Sequence, residues 1–244
     1  MVDERLKAIR ALAIVFERDA GPGVFAEASD ARGVELDSWM FDGRVAPPQE
    51  PNTYDAVLVF GGSMHPDHEG AHPWLRDVKA LLRELLGQGT PLLGVCLGGQ
   101  LLADAVGPPS RPSREPELGW YDVELTPEGR RDPILGPLAP HFTAFGWHRY
   151  EFVLPRGGAP LAHSAACLQA YRLGDAAWGI QFHAEVTAKD ADAWIDDDRK
   201  KEDAASIVGD FDALRERTRV AMGPWNELGR GLCERFLDAA ATRA

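Results

Sequence analysis

One cysteine of the chain stands between two glycines, in Gly94-Val95-Cys96-Leu97-Gly98. The apolar run Pro91-Leu92-Leu93 leads into it, and Gly99-Gln100-Leu101-Leu102-Ala103 reads as the start of a helix. Strand, sharp turn, helix is the pattern of a nucleophile elbow, here with sulfur in place of the usual hydroxyl. Glycines on both sides relieve the crowding that a strained turn imposes. The free N–H groups and dipole at a helix start favour negative charge, which suits a thiolate. Such a nucleophile needs a base. Gly179-Ile180-Gln181-Phe182-His183-Ala184-Glu185 offers one at the end of another predicted strand. If the strand continues, His183 and Glu185 are two apart and share a face. Glu185 then holds one ring nitrogen of His183 while the other faces the thiol.

Each feature has a plain alternative. A lone cysteine is commonly a core residue, and a strand-end histidine is commonly just a satisfied polar group. The combination favours chemistry. The chain order cysteine, histidine, glutamate differs from the nucleophile, acid, histidine order of α/β-hydrolases, which disfavours that fold. Acyl transfer also needs donors for a developing oxyanion. The backbone N–H of Leu97 is one candidate. Gly61 and Gly62, at the end of a second apolar run, supply another, although glycine pairs often mark nothing more than a tight turn.

The elements that must position these residues follow from the apolar pattern. Residues 11–16 and 56–60 are continuous apolar runs, as in strands buried on both faces of a parallel sheet. Val34 to Met40 reads as a strand between them, and residues 20–33 as a helix. Pro73 opens a helix whose apolar residues run from Trp74 to Leu86 at helical spacing, closed by Gly87 and Gly89. Leu92 to Val95 is the next strand and Leu97 to Val106 the helix after the elbow. Strands alternating with helices imply a doubly wound sheet, with ligands beyond the carboxyl ends of its strands. Gly61, Gly62 and Cys96 should therefore share one rim. Trp120 to Thr126, His141 to Trp147, Leu161 to Ala166, Leu168 to Leu173 and Ala177 to Phe182 read as later, more antiparallel strands. A helical tail follows from Ala188, with Trp225, Leu228, Leu232 and Phe236 on one face of its last helix. That face either packs on the domain or forms a homodimer contact.

A net charge of −12 without a basic block argues against nucleic-acid and anionic-membrane partners. No apolar run reaches the roughly 18 residues of a membrane span, and the charged start lacks a signal-peptide core. Cys96, Cys167 and Cys233 are far apart, with neither disulfide nor zinc spacing, so a reducing cytoplasm is the default location. Cys167 and Cys233 read as packing residues. The loop His65-Pro66-Asp67-His68-Glu69-Gly70-Ala71-His72 holds metal-capable side chains. Their irregular spacing points to a polar rim instead, and neither a metal nor another cofactor is expected.

Gly94-Val95-Cys96-Leu97-Gly98-Gly99-Gln100 together with Gln181-Phe182-His183-Ala184-Glu185 resembles the class I (triad) glutamine amidotransferases, in particular stand-alone proteins similar to the glutaminase domain of GMP synthetase. Gly61-Gly62, Glu117-Leu118-Gly119-Trp120, Trp147-His148 and Gln169-Ala170-Tyr171-Arg172 support the match, which covers roughly residues 8–190 in order. The resemblance implies an α/β fold with a doubly wound, mostly parallel, flavodoxin-like sheet, extra antiparallel strands and C-terminal helices. It implies Cys96 as nucleophile, His183 as base and Glu185 as orienting acid, with a γ-glutamyl thioester intermediate. It further implies Gln100 as a substrate-binding residue, and Trp147 and His148 as the segment that contacts the substrate backbone. Two residues depart from the family pattern. Ala184 replaces a proline that would fix the backbone before Glu185, and Ser63 follows Gly61-Gly62 where many relatives carry proline.

Residues 1–190 read as the amidotransferase domain and 191–244 as a helical extension packed on it. No synthase domain is evident, which leaves two enzymatic expectations. One is a glutaminase subunit that feeds a synthase partner in trans. The other is a free-standing hydrolase of another γ-glutamyl compound. A catalytically idle interaction module is the contrasting class, and the intact Cys96, His183 and Glu185 argue against it.

Overall fold

The computed structural model describes residues 9–42, 44–138 and 140–243. Its centre is a nine-stranded sheet. Strands β1 (Arg10–Val15), β2 (Glu35–Met40), β3 (Ala56–Val59) and β4 (Leu92–Val95) come from the first half of the chain. The long pair β5 (Arg111–Leu125) and β6 (His141–Glu151) follows, then β7 (Gly158–His163), β8 (Leu168–Leu173) and β9 (Ala177–Ile180). The spatial order is β2-β1-β3-β4-β9-β8-β7-β5-β6. The first five strands of that order are mutually parallel, and the pairings from β9 onward to β6 are antiparallel.

The parallel half is buried on both faces, which explains its unbroken apolar runs. Alternate side chains of β1 enter opposite cores. Ala11, Ala13 and Val15 join one core with α1 (Val24–Ala31) and α6 (Phe211–Ala241), while Leu12 and Ile14 join the other with α2 (Trp74–Gln88) and α3 (Leu97–Val106). Gly89 ends α2 in the left-handed conformation at φ 77°, whereas Gly87 lies within the helix. Helices α4 (Ala188–Asp198) and α5 (Glu202–Val208) complete the chain, with α4 opened by a Thr187–Asp190 capping box. No helix among the described residues is long and apolar enough to cross a membrane.

Strand β5 begins earlier than its apolar pattern suggests, β6 runs on to Glu151, β7 is shifted to Gly158–His163, and two further changes bear on the site. The last strand stops at Ile180, so His183 and Glu185 lie in a bent segment beyond it rather than on the strand. Backbone N–H groups that would continue the ladder are diverted to other partners: the amide of His183 bonds the Phe145 carbonyl at 2.8 Å. Leu228 is 41% exposed and leaves the apolar face of α6. The buried face instead carries Trp225, Gly229, Leu232, Cys233 and Phe236, and Gly229 brings the helix backbone against the His183 segment.

Candidate active site

The elbow is built as its glycines suggest. Cys96 has φ 51° and ψ −111°, the one non-glycine with positive φ among the described residues. Such a conformation costs about 1–3 kcal/mol and persists only where surrounding contacts impose it. Here the Cys96 amide donates to the Ile180 carbonyl at 2.8 Å, and the Gln100 amide donates to the Cys96 carbonyl at 2.9 Å. A Cβ on Gly98 would stand 2.0 Å from the Val59 carbonyl oxygen, and one on Gly94 would stand 2.6 Å from Gly98. Both must be glycine for α3 to start this close to β3 and β4. Buried Tyr171 adds a hydroxyl that donates to the Gly99 carbonyl at 2.7 Å.

His183 follows β9, the strand beside β4, and its ring comes close to Cys96 above Gly61. Its Nδ1 lies 2.7 Å from Glu185 Oε1, and the ring is close enough to Cys96 to feel the charge of the sulfur. Both members of the His183–Glu185 pair are buried. Burial opposes charge on His183, but the Glu185 carboxylate and the Cys96 sulfur outweigh it and raise the imidazole to about 10. Glu185 Oε2 is buried without a partner among the described residues, so the Glu185 charge is directed to His183 alone.

Alanine at 184 does not open this arrangement, because neighbouring elements do what proline would. The Trp225 indole N–H donates to the His183 carbonyl at 2.8 Å, and the Val24 amide donates to the Glu185 carbonyl at 2.9 Å. Asn226 donates to the Val186 carbonyl at 2.8 Å. Gly229→Ala tests this clamp. Its Cβ would stand 2.0 Å from the Ala184 carbonyl oxygen, so the helix must withdraw. The expected outcome is a loss of about 1–3 kcal/mol in denaturant titration, with activity falling further than Leu228→Ala, on the exposed face, makes it fall.

The other sequence-selected residues also gather here. Gly62, Leu97, Gln100, Trp147 and His148 line one open cavity with Cys96 and His183. Gly61 lies beneath it: a Cβ there would be 3.0 Å from His183 Cε1 and 3.7 Å from Cys96 Cβ. The Leu97 amide, first in α3, has no acceptor among the described residues and stands beside Cys96. Ser63 is held by Glu17, which accepts from its amide at 2.8 Å and from its hydroxyl. This anchor fixes the loop after Gly61-Gly62 without a proline.

Strand β6 laces the site together through its carbonyls. That of Phe145 takes the His183 amide, that of Trp147 lies 4.0 Å from Cys96 Sγ, and that of Tyr150 accepts from Gln100 Nε2 at 2.9 Å. The His148 ring is engaged away from the cavity. Its Nε2 lies 2.8 Å from Glu117 Oε2 and its Nδ1 lies 3.0 Å from the Tyr150 carbonyl. Its backbone is the part left to a ligand.

Three contributors escaped sequence reading. Glu17 follows the end of β1 and was masked by a run of loop charges. Trp194 packs edge-to-face on His183 at 4.8 Å from helix α4, beyond the expected domain boundary. Arg149 ties β6 to the tail by donating to Asp198 at 3.0 Å and Asp203 at 2.6 Å. The helical tail was expected from Ala188, and the spacing of Ala191, Trp194, Ile195 and Asp198 was the available signal for its inward face. Among the described residues the histidine-rich loop takes part in no metal-capable cluster, and His65 stacks on Tyr150 at 4.2 Å. Among the described residues the one such cluster is Glu117, His148 and Cys167, whose donor atoms lie within 4.8 Å and are hydrogen-bonded among themselves. Burial, together with the nearby Glu117 charge, pushes the Cys167 thiol well above its ordinary range, so it is no rival nucleophile.

A strained cysteine at a strand-to-helix turn, a histidine–glutamate pair beside it and a shared cavity are the geometry of cysteine acyl transfer. The family model for class-I glutamine amidotransferases matches residues 24–199. The chain belongs to that family. Among its relatives, a glutamine-hydrolysing GMP synthase subunit of Halobacterium salinarum is 32% identical over 161 residues, covering 64% of this chain and 78% of that one. A gamma-glutamyl-L-1-hydroxyisopropylamide hydrolase of a Pseudomonas species is 30% identical over 166 residues, covering 64% of this chain and 54% of the hydrolase. The crystal structure of a glutamine amidotransferase from Thermotoga maritima superposes with a TM-score of 0.84 at 27% identity, covering 95% of this chain and 99% of that one. The fold of that structure is thus shared across nearly the whole chain.

Proposed function

We propose that the protein hydrolyses a γ-glutamyl amide through a thioester on Cys96. The observation that carries this reading is the His183 ring, held by Glu185 on one side and reaching the strained Cys96 on the other. Cys96 passes its proton to His183, and the thiolate attacks the side-chain carbonyl carbon of the substrate. A C–S bond forms, and the oxyanion develops beside the backbone N–H groups of Leu97 and of Gly61 or Gly62. The C–N bond then breaks as His183 returns the proton to the leaving nitrogen, and ammonia or an amine departs. Water attacks the thioester carbon, gives a proton to His183 and displaces the sulfur, releasing glutamate. Gln100, Trp147 and the backbone at His148 hold the glutamyl portion. Residues 191–244 act as one unit with the rest of the chain, since Trp194 lies on the catalytic histidine.

Two leaving groups fit this chemistry. The likeness to a glutamine-hydrolysing GMP synthase subunit supports glutamine, with ammonia passed to a synthase partner. The likeness to a γ-glutamyl amide hydrolase supports a larger amine, and the cavity extends past Cys96 to Ser63, His65 and Tyr150, on which such a group can rest. Ammonia or amine release from glutamine and from a panel of γ-glutamyl amides discriminates them. Strong turnover of a larger amide without a partner supports the hydrolase. Weak glutamine hydrolysis that rises when a synthase is added supports the ammonia-feeding role. Absence of turnover on every compound, with Cys96 inert to a glutamine-mimicking diazoketone, would sink both.

A further inference from the structure

Behind the cavity lies a buried polar chain that the thioester chemistry does not use. Glu117 and His148 face each other across β5 and β6, just after the register shift between Pro112 and Glu117. Both are 3% exposed. Three donors converge on Glu117 Oε2: His148 Nε2 at 2.8 Å, Gln169 Nε2 at 2.5 Å and Cys167 Sγ at 3.8 Å. Gln169 is itself held by donating to Ser164 Oγ at 3.1 Å. The other end of the His148 ring meets the Tyr150 carbonyl at 3.0 Å. That same carbonyl accepts from Gln100 Nε2 at 2.9 Å, and Gln100 Nε2 also donates to Gln181 Oε1 at 3.2 Å.

The chemistry of these contacts fixes their direction. A carbonyl only accepts, so His148 donates through Nδ1 and Gln100 must turn its amide nitrogen, not its oxygen, towards Tyr150. With Nδ1–H committed, His148 Nε2 faces a carboxylate oxygen, and a proton must lie between them. A buried charge-assisted bond of this kind is stiff and directional. Burial works against charge on Glu117, yet His148 and Gln169 overcome it and hold the carboxyl below its ordinary range. Both hydrogens of the Gln100 amide are thereby spent on Tyr150 and Gln181, which leaves Gln100 Oε1 as the end available to a ligand one turn after Cys96.

We propose that the Glu117–His148 pair is a positioning device for Gln100, acting through the Tyr150 carbonyl to fix how the γ-glutamyl group is held without touching it. This rests on the reading that Cys96 attacks a γ-glutamyl substrate held by Gln100. The pair differs from a general fold support in one respect: its loss should disturb substrate placement and leave the thiol's own reactivity alone.

The test compares two reagents on Cys96, a glutamine-mimicking diazoketone that must occupy the substrate site and iodoacetamide, which need not. Wild type, Glu117→Gln, His148→Asn, Gln100→Ala and the double variant Gln100→Ala/Glu117→Gln are used. Glu117→Gln keeps the side-chain shape, so it reads the charge even if His148→Asn fails to fold. The expected result is a roughly tenfold rise in half-saturating diazoketone for Glu117→Gln, with the iodoacetamide rate within about twofold of wild type. The double variant should lose no more than Gln100→Ala alone, because both changes cut the same chain. Unchanged diazoketone saturation, an iodoacetamide rate that falls in step, or losses that multiply in the double variant would each overturn the proposal. Failure of the diazoketone to label Cys96 in wild type would instead remove the catalytic reading beneath it.

Discussion

Cys96→Ala is expected to lower turnover of the best γ-glutamyl amide by about 10⁴-fold or more, the scale seen when a covalent nucleophile is removed. The loss belongs to chemistry and not to folding. The backbone bonds that shape the elbow, from Cys96 to Ile180 and from Gln100 to Cys96, need no sulfur. Neither does the close approach of Gly98 to Val59. Substrate should therefore still bind, with a dissociation constant near that of the wild type, while release of ammonia or amine stops. Steady-state release assays together with equilibrium binding measure the two halves of this expectation. Cys233→Ala serves as the control, since burial raises its thiol and it does not line the cavity.

Glu185→Gln is expected to cost about 10³–10⁴-fold in kcat, although it preserves shape. Glu185 has two tasks in this site. In the proposed reaction it orients the His183 ring through the 2.7 Å bond to Nδ1, and its charge would support the imidazolium that forms when Cys96 gives up its proton. Glutamine removes the charge and can present an N–H to a ring nitrogen that itself needs an acceptor. The pH dependence gives the sign. In the wild type, burial lowers His183, but Glu185 leads the groups that raise it from 6.5 to about 10. The raised pair therefore contributes stability that is fully present below 6.5 and lost as pH rises through about 10. In Glu185→Gln the largest raising influence on His183 is lost, so the alkaline limb of the rate profile should move to lower pH and the stability gain across that window should shrink. Rate and denaturation profiles from neutral to alkaline pH record both. An alkaline limb that stays in place would mean that Glu185 does not set the charge on His183.

The parts of this site that were legible in the sequence are those where local rules and tertiary demands agree. Continuous apolar runs identified β1, β3 and β4 because a parallel strand buried on both faces tolerates little else. The glycines at 94 and 98 announced the elbow because backbone atoms pass too close for any Cβ. Chain order then separated the cysteine triad from other elbow families. The first half of β5 was illegible for the opposite reason. Arg111 to Glu115 hold a proline among polar, largely exposed residues, and the strand there is carried by β6 across a register shift. The end of β9 was also misplaced, since Gln181 to Glu185 look like a continuing strand. What breaks the ladder is contact with Phe145, Trp225 and Val24, all distant in sequence. Leu228 was assigned to the buried face of α6 from helical spacing, but that face turns towards Gly229 because the helix must approach the Ala184 carbonyl. Glu117 carried family resemblance without a visible task and His148 only as part of a substrate-contacting segment, because their partnership is written in strand register and not in spacing.

The most direct measurement is mass spectrometry of protein quenched in acid during turnover of the best γ-glutamyl amide, followed by peptide mapping. The expected result is a γ-glutamyl adduct confined to the peptide that contains Cys96, removed by hydroxylamine and more abundant in Glu185→Gln if breakdown of the thioester slows more than its formation. Turnover that proceeds with no adduct detectable in either protein, or an adduct carried by Cys167, Cys233 or any other residue, would contradict a thioester at Cys96.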